Sequence, residues 1–326
     1  PMKQSYLVID FDSTFTKVEA LDALCEIVLD GSEEKEKVLR QIQEITDKGM
    51  EGKIDFRDSL SSRLDLLRAH RDDIQQLVTR LKNEISASFL RNQPALASSK
   101  ERVFIVSNGF KDFIVPVIEH YGLIAEHVFA NEFIYDDEGF ITGFDLDNPL
   151  SESGGKPRVI SQLKLEGEVY VIGDGYNDFE IRKAGFANKF YLFTENIERE
   201  SVKPSADHIA PNVDEILYEL NMSRALSYPK NRIKVLLLEG VHSNAVKHFE
   251  AEGYKVEYLT TALTEDELCK KIADVNILGI RSKTHVTRKV IEKAKRLINI
   301  GAFCIGTNQI DLDACSEHGV AVFLFL

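Results

Sequence analysis

The sequence predicts an α/β protein built on a doubly wound parallel sheet, followed by a second, smaller unit of the same class. Three apolar runs, at residues 5–9, 102–109 and 168–175, are continuous rather than alternating, as expected for strands buried on both faces of a parallel sheet. The stretches between these runs show helical patterns, so strands and helices alternate along the chain. Shorter strands are expected at residues 189–193 and 208–210.

A long helical stretch at residues 21–96 separates the first two strands. Part of it places Val38, Ile42 and Ile45 on one helical face, with charged residues elsewhere. Because the stretch is longer than one crossover between parallel strands needs, we expect a helical cap over the carboxyl edge of the sheet. Further along, residues 135–143 predict a β-hairpin with an Asp-Glu-Gly turn.

The length of the chain, 326 residues, favours two domains over one compact core. We expect a first domain at residues 1–222 and a linker at residues 223–232, where the pattern breaks at "SYPKNR". The second domain, residues 233–326, repeats the alternation of short apolar strands and helices. This pattern predicts a small flavodoxin-like unit.

Composition excludes several classes of protein. The net charge of −13 argues against a nucleic-acid binder, which would need a basic face. No apolar run approaches the roughly 20 residues of a membrane-spanning helix, and no signal peptide opens the chain. The four cysteines lack metal-type spacing and suit reduced thiols. We therefore expect a cytoplasmic protein without nucleic-acid or membrane partners.

Polar side chains follow each of the three long predicted strands. Asp10 and Asp12 come after the first, Ser107 after the second and Asp174 after the third. Ligands bind beyond the carboxyl ends of strands in an open parallel sheet, so these groups are expected to converge. Three carboxylates in one place would repel each other without a cation, and all-oxygen ligation suits Mg²⁺.

Phosphoryl transfer is a reaction that such a site can perform. A carboxylate can attack phosphorus to give an aspartyl-phosphate, which divides one slow step into two easier ones. Positioning and charge neutralisation must supply most of the acceleration. The site therefore needs a fixed cation, and Lys156 in "SGGKP" is the candidate, since two glycines before it let the backbone approach closely.

Four sequence segments, "DFDST", "SNG", the isolated Lys156 and "GDGYND", resemble the ordered motifs of the haloacid dehalogenase-like phosphatases over roughly residues 5–210. The resemblance implies that Asp10 is the nucleophile and that Asp12 first protonates the leaving alcohol and then activates water. It implies that the phosphate-binding residues are Ser107, Asn108, Gly109 and Lys156. It also implies that the Mg²⁺ ligands are Asp10, the Asp12 carbonyl and Asp174, with Asp178 in support.

Two further stretches, "TKVEALD" and "MEGKIDFRDSLSSRLDLL", are similar to the phosphoserine phosphatases within this superfamily. The similarity implies that Glu19 takes the substrate ammonium, that Arg63 takes its carboxylate, and that Met50 and Phe56 close over the site. Asn177 in "GDGYND" is also assigned to the substrate. The implied reaction is hydrolysis of L-phosphoserine to L-serine and phosphate, the last step of serine biosynthesis.

Alternatives to these assignments remain open. Glu19 could stabilise a helix start, and Arg63 could pair with Asp58 or Asp65 on its own helix. Asn108 stands where this subfamily usually has glycine, which bears on the substrate preference. Another small-molecule phosphomonoesterase or phosphotransferase of the same superfamily would fit the same chemistry.

From residue 233 onward the chain resembles the first part of D-3-phosphoglycerate dehydrogenase. The match ends where that family continues into its nucleotide-binding domain, and no G-x-G-x-x-G follows any strand, so dehydrogenase activity is not expected. "RSKT" at residues 281–284 looks like a loop that contacts the substrate phosphate in that family. The unit is therefore a folded remnant, a docking module or a regulatory module that senses a serine-pathway acid. Its uncharged end, "VAVFLFL", could be buried or could form a homo-oligomer edge.

Overall fold

The computed structural model describes residues 4–50 and 53–325 and forms two compact units, divided between Ala225 and Leu226. Each unit is described by itself. Within the described ranges, no helix has both the length and the apolar character that crossing a lipid bilayer requires.

The first unit contains a six-stranded parallel sheet with strand order β3-β2-β1-β6-β7-β8, and a separate antiparallel hairpin of β4 and β5. Its strands are β1 (Ser5–Ile9), β2 (Val103–Phe110), β3 (Val128–Asn131), β4 (Phe133–Tyr135), β5 (Ile141–Phe144), β6 (Glu168–Gly173), β7 (Lys189–Phe193) and β8 (His208–Ala210). The predicted parallel sheet and hairpin are confirmed. Strand β3 was not predicted.

Helices cover both faces of this sheet. Successive residues of a strand point to opposite faces, and apolar residues on both faces need a layer of helices to bury them. Leu7 and Ile9 of β1 enter one hydrophobic core, while Val8 between them enters the other. The helices are α1 (Ala20–Val28), α2 (Lys35–Met50), α3 (Phe56–Leu67), α4 (Arg71–Lys82), α5 (Ala87–Arg91), α6 (Gln93–Ser98), α7 (Lys111–Tyr121), α8 (Gly155–Leu163), α9 (Tyr176–Lys183) and α10 (Val213–Glu219). The doubly wound arrangement follows directly.

Helices α1 to α6 lie between β1 and β2, and α1 to α4 form a helical segment between Thr16 and Ile85. The chain enters and leaves it side by side, since Thr16 and Ile85 pair as an antiparallel bridge. Helix α4 illustrates how local sequence sets a boundary: the His70 ring accepts a hydrogen bond from the Asp72 N–H at 3.1 Å, and Asp73 accepts one from the His70 N–H at 2.8 Å. This reciprocal cap satisfies backbone groups that the first helical turn leaves without partners.

The second unit is a five-stranded parallel sheet with order β10-β9-β11-β12-β13. Its elements are β9 (Lys234–Leu237), α11 (Ser243–Ala251), β10 (Lys255–Tyr258), α12 (Glu265–Lys271), β11 (Ile277–Ile280), α13 (Arg288–Lys293), β12 (Asn299–Ala302), α14 (Leu312–Glu317) and β13 (Ala321–Leu324). If the five strands are numbered by their order in the chain, their order across the sheet is 2-1-3-4-5, which is the flavodoxin-like order. The predicted second α/β unit is confirmed.

At the carboxyl edge of this second sheet, the Glu239 carboxylate accepts hydrogen bonds from three backbone N–H groups. The donors are Arg281 at 2.7 Å, Lys283 at 2.7 Å and Thr284 at 3.3 Å. Glu239 itself has φ = 59°, a left-handed conformation that costs free energy for a residue with a Cβ. Its three hydrogen bonds offset that cost and fix the 281–284 loop.

We expect Glu239→Ala to lower the free energy of unfolding of the second unit by about 2 kcal/mol, because hydrogen bonds to a charged acceptor are lost while the left-handed backbone is kept. The measurement is native-state hydrogen exchange of the β9 amides in the full-length protein. Glu250→Ala, on the exposed face of α11, is the matched control and should stay within about 0.5 kcal/mol. Equal effects of the two substitutions would contradict this account of the loop.

Candidate active site

The turn after β1 aims alternate side chains in opposite directions. Phe11 and Phe15 are fully buried and stack at 6.0 Å, which anchors the turn in the core. Ser13 has φ = 56°, so the chain reverses sharply between them. The Asp10 N–H is bonded to the Ile172 carbonyl of β6 at 2.9 Å, and this bond fixes Asp10 at the carboxyl edge of the sheet.

Lys156, at the start of α8, lies between two carboxylates. Its Nζ is 3.0 Å from Asp10 Oδ1 and 2.7 Å from Asp178 Oδ1, and its side chain is only 2% exposed. Burial by itself would lower the pKa of Lys156, but the two carboxylates outweigh burial and raise that pKa above its usual value. A permanently charged ammonium is therefore held beside Asp10.

Close contact with the preceding loop places Lys156. A Cβ on Gly155 would lie 2.0 Å from the Pro149 carbonyl oxygen, so only glycine permits this approach of α8 to the loop. Gly154 before it has φ = 74°, in the left-handed region that glycine adopts freely. These two positions give a structural reason for the "GG" that precedes the lysine.

Asp10, Asp174 and Asp178 form an acidic cluster whose carboxylate oxygens lie within 4.8 Å of one another. Burial, followed by repulsion from Asp10, raises the pKa of Asp174 above its usual range. The same causes raise the pKa of Asp178 further, although Lys156 opposes the shift. A buried set of oxygen donors with this unfavourable repulsion is the kind of site that a hard divalent cation fits.

Asp12 lies at the opening of the helical segment. Its Oδ1 accepts a hydrogen bond from the Ala20 N–H at 2.7 Å. Burial, followed by repulsion from Glu19, raises the pKa of Asp12 well above its usual range, and the Ala20 bond offsets this only in part. A Cβ on Gly109 would lie 3.3 Å from Asp12 Oδ2, so strand β2 passes directly beside this carboxyl group.

The end of β2 brings the other predicted phosphate-binding residues to this edge. Ser107 is buried, and its Oγ accepts a hydrogen bond from the Gly109 N–H at 2.9 Å. The Asn108 amide donates to the Leu150 carbonyl at 2.9 Å and accepts from the Asn177 amide at 2.9 Å. Both predicted amides are thus engaged with each other and with the loop before α8.

The predicted substrate residues lie around the helical segment. Glu19 accepts a hydrogen bond from Ser13 Oγ at 2.6 Å. On α3, Phe56 is partly buried against the core, and burial lowers the pKa of Arg63 while nearby Asp22 opposes that shift. Met50 ends α2, and its side chain lies outside the described part of the structure.

The loop after β7 supplies functional candidates that the sequence reasoning missed. Arg199 Nε lies 2.9 Å from Asp174 Oδ2, and its Nη2 lies 3.8 Å from Glu19 Oε1. The Asn196 amide donates to the Ser13 carbonyl at 3.1 Å and to Ser86 Oγ at 2.8 Å. The available signal was the polar run "TENIER" directly after a predicted strand, since every such loop meets the same sheet edge.

In the second unit, "RSKT" forms the 281–284 loop described above. Three of its backbone N–H groups, those of Arg281, Lys283 and Thr284, are bonded to the Glu239 carboxylate. A phosphate at this loop would have to compete with Glu239 for these three groups.

Comparison with known families finds a match for each unit. Residues 7–182, more than half of the chain, match the haloacid dehalogenase-like hydrolases, and the chain therefore belongs to this family. Residues 235–324 match the catalytic domain of the D-isomer specific 2-hydroxyacid dehydrogenases. The resemblance predicted for each part of the sequence is confirmed.

Solved structures resemble the first unit. A phosphoserine phosphohydrolase-like protein from Francisella tularensis is 31% identical with a TM-score of 0.58, over 67% of this chain and 100% of that one. A phosphoserine phosphatase in a phospho-aspartyl intermediate analogue form is 25% identical with a TM-score of 0.51, over 67% of this chain and 98% of that one. The fold and these similarities identify a phosphatase of the haloacid dehalogenase-like class.

Curated relatives match the second unit. D-3-phosphoglycerate dehydrogenase of Dictyostelium discoideum is 51% identical over 102 residues, which are 31% of this chain and 25% of that protein. The enzyme from Escherichia coli K12 is 46% identical over 99 residues, which are 30% of this chain and 24% of that protein. The chain thus spans about a quarter of the length of these relatives.

We expect Arg199→Gln to destabilise the first unit by about 1–3 kcal/mol in metal-free buffer, because it removes a charge-assisted hydrogen bond from one of three crowded carboxylates. Arg199→Lys keeps the charge and should recover part of the loss. The measurement is urea unfolding with a chelator present. Arg182→Gln is the control. Arg182 and Asp207 form a partly exposed ion pair at 3.1 Å, and such a pair contributes less than about 1 kcal/mol to stability. If Arg199→Gln destabilises the unit no more than Arg182→Gln does, Arg199 does not stabilise the carboxylate cluster.

Proposed function

We propose that the protein is a magnesium-dependent phosphoserine phosphatase, which hydrolyses L-phosphoserine to L-serine and phosphate through an aspartyl-phosphate intermediate. The observation that carries the proposal is the environment of Asp10. Lys156 lies 3.0 Å from its Oδ1, the Phe11 N–H donates to the same oxygen at 2.8 Å, and Asp12 stands two residues away with a raised pKa. A nucleophile, a fixed cation and a proton donor are thereby brought together.

The residues divide the reaction between them. With Oδ1 of Asp10 held by Lys156 and the Phe11 N–H, Oδ2 attacks the phosphorus atom, and the bond from phosphorus to the serine oxygen breaks. Asp12 gives its proton to that leaving oxygen, a role that its raised pKa favours. Asp12 then takes a proton from the water that attacks the phospho-aspartate, which releases phosphate and restores the Asp10 carboxylate. Ser107 and Lys156 bind the phosphoryl oxygens in both steps.

The residues that would hold Mg²⁺ are Asp10, Asp174 and the Asp12 carbonyl, with Asp178 next to them. The carboxylate oxygens of Asp10, Asp174 and Asp178 lie within 4.8 Å of one another, which fits an all-oxygen site. When bound, the ion supplies positive charge that offsets the repulsion between these carboxylates and the phosphoryl oxygens.

The choice of L-phosphoserine rests on Glu19 and Arg63 together with the similarities. A zwitterionic amino acid needs one anion and one cation beside the phosphate site. Solved structures named phosphoserine phosphatase resemble the first unit, and relatives named D-3-phosphoglycerate dehydrogenase resemble the second. Both enzymes belong to serine biosynthesis, which supports the last step of that pathway as the place of this reaction.

Phosphate release from L-phosphoserine, measured with Mg²⁺ and with a chelator, tests the reaction class. We expect Mg²⁺-dependent turnover that falls by roughly 10⁴-fold or more in Asp10→Asn, because the amide cannot act as the nucleophile. Asp137→Asn, in the exposed hairpin turn, should be unchanged. Full activity of Asp10→Asn would reject the nucleophile, and turnover of p-nitrophenyl phosphate alone would reject the substrate while keeping the chemistry.

Two variants test the substrate assignment. We expect Glu19→Gln and Arg63→Ala each to raise KM for L-phosphoserine about tenfold more than KM for p-nitrophenyl phosphate, because each removes a charged contact that only the amino acid makes. Arg40→Ala, an exposed arginine on α2, should change neither KM. The assignment fails if both substrates respond equally.

A further inference from the structure

Arg57, in the first turn of α3, links the helical segment to the rest of the first unit. Its Nη2 donates to the Leu146 carbonyl at 2.8 Å and to Ser151 Oγ at 2.8 Å. The same nitrogen lies 2.9 Å from Glu152 Oε1, and the Arg57 side chain is only 27% exposed. The sequence alone indicated a surface position for this residue.

The acceptors of Arg57 belong to a segment, residues 146–152, that leads directly into the phosphate site. Ser151 is fully buried and donates to the Asn148 carbonyl at 2.8 Å. The Leu150 carbonyl accepts hydrogen bonds from Asn108 at 2.9 Å and from Asn131 at 3.0 Å. Because only three residues separate Glu152 from Lys156, the position of this segment constrains the position of the lysine that is proposed to bind phosphate.

The carboxyl-terminal end of α3 is attached to the β4–β5 hairpin by backbone hydrogen bonds. The Ile141 N–H donates to the Ala69 carbonyl at 2.9 Å, and the Arg71 N–H donates to the Gly139 carbonyl at 2.9 Å. These bonds tie the junction of α3 and α4 to the β4–β5 hairpin whatever the side chains are. Arg57 therefore fixes the opposite end of α3, the end that begins with Phe56.

A single exposed ion pair would contribute little, because solvent screens it. The Arg57 contact differs in that one partly buried guanidinium donates hydrogen bonds to a carbonyl and a hydroxyl and lies beside a carboxylate, all on a segment that other hydrogen bonds already fix. All three acceptors lie around the single nitrogen Nη2, which the planar guanidinium carries at the end of the side chain.

We propose that Arg57 is a positioning residue that clamps the start of α3 to residues 146–152 and so holds Phe56 and Arg63 at a fixed distance from Lys156. Its effect on substrate affinity rests on the proposed function, but the clamp itself does not. It sets how well the enzyme recognises the amino-acid part of the substrate, while the phosphoryl chemistry at Asp10 is left to the groups around it.

Steady-state kinetics test the effect on recognition. We expect Arg57→Ala to raise KM for L-phosphoserine about tenfold, with a smaller change in kcat and in KM for p-nitrophenyl phosphate. Arg57→Lys should recover part of the loss. Ser151→Ala should raise KM for L-phosphoserine by a smaller factor. When Ser151→Ala is combined with Arg57→Ala, the loss of binding free energy should be smaller than the sum of the losses in the two single variants. Arg40→Ala is the matched control on the same helical segment.

Hydrogen exchange of the substrate-free full-length protein tests the clamp without reference to activity. In Arg57→Ala the first turn of α3 and residues 146–152 should exchange at least about fivefold faster, while the β4–β5 hairpin and α4 keep their rates. Exchange equal to that of Arg40→Ala would overturn the proposal, and so would faster exchange throughout the first unit, which would mark a general loss of stability. If exchange changes locally but the unaltered protein does not hydrolyse L-phosphoserine, the proposed function falls and the clamp stands.

Discussion

The buried ammonium of Lys156 is the constraint on which the active site depends. An isolated charge at that depth would cost several kcal/mol, and it is tolerated because Asp10 and Asp178 lie at 3.0 and 2.7 Å. Asp10 directly follows β1, and Lys156 and Asp178 lie at the starts of α8 and α9, so the ion pairs also require that those elements meet at one sheet edge. The geometry of the candidate site and the folding of the first unit therefore depend on the same contacts.

The carboxylates in this region are not equivalent, although they lie close together. Asp12 accepts a hydrogen bond from a backbone N–H and has a strongly raised pKa, which suits a group that carries a proton. Asp174 is held by Arg199, and Asp178 by Lys156, so each of these acids has its own compensating cation. The environment of each carboxyl group, rather than its residue type, therefore sets its protonation behaviour.

Much of the fold could be predicted because buried parallel strands leave a strong local signal. Strands β1, β7 and β8 have the bounds that their apolar runs predicted. Strand β3 was missed, since "VFAN" is a short run that contains a polar residue. Arg57 and Arg199 were missed for a different reason: each acts on residues far away in the chain, and no pattern within their own segments records those partners. Asp10 and Asp174 could be placed at the sheet edge from the sequence because each follows its strand directly, whereas Lys156 stands at the start of α8.

The amide nest around Glu239 has a consequence for any anion in solution. Because the carboxylate belongs to the same chain, it is present at a high effective concentration beside the N–H groups of Arg281, Lys283 and Thr284. A dissolved phosphate ester must compete with that internal ligand, and it does so at a far lower concentration. The loop is thereby insulated from the ionic composition of its surroundings, and it keeps its shape whether or not an external anion is present.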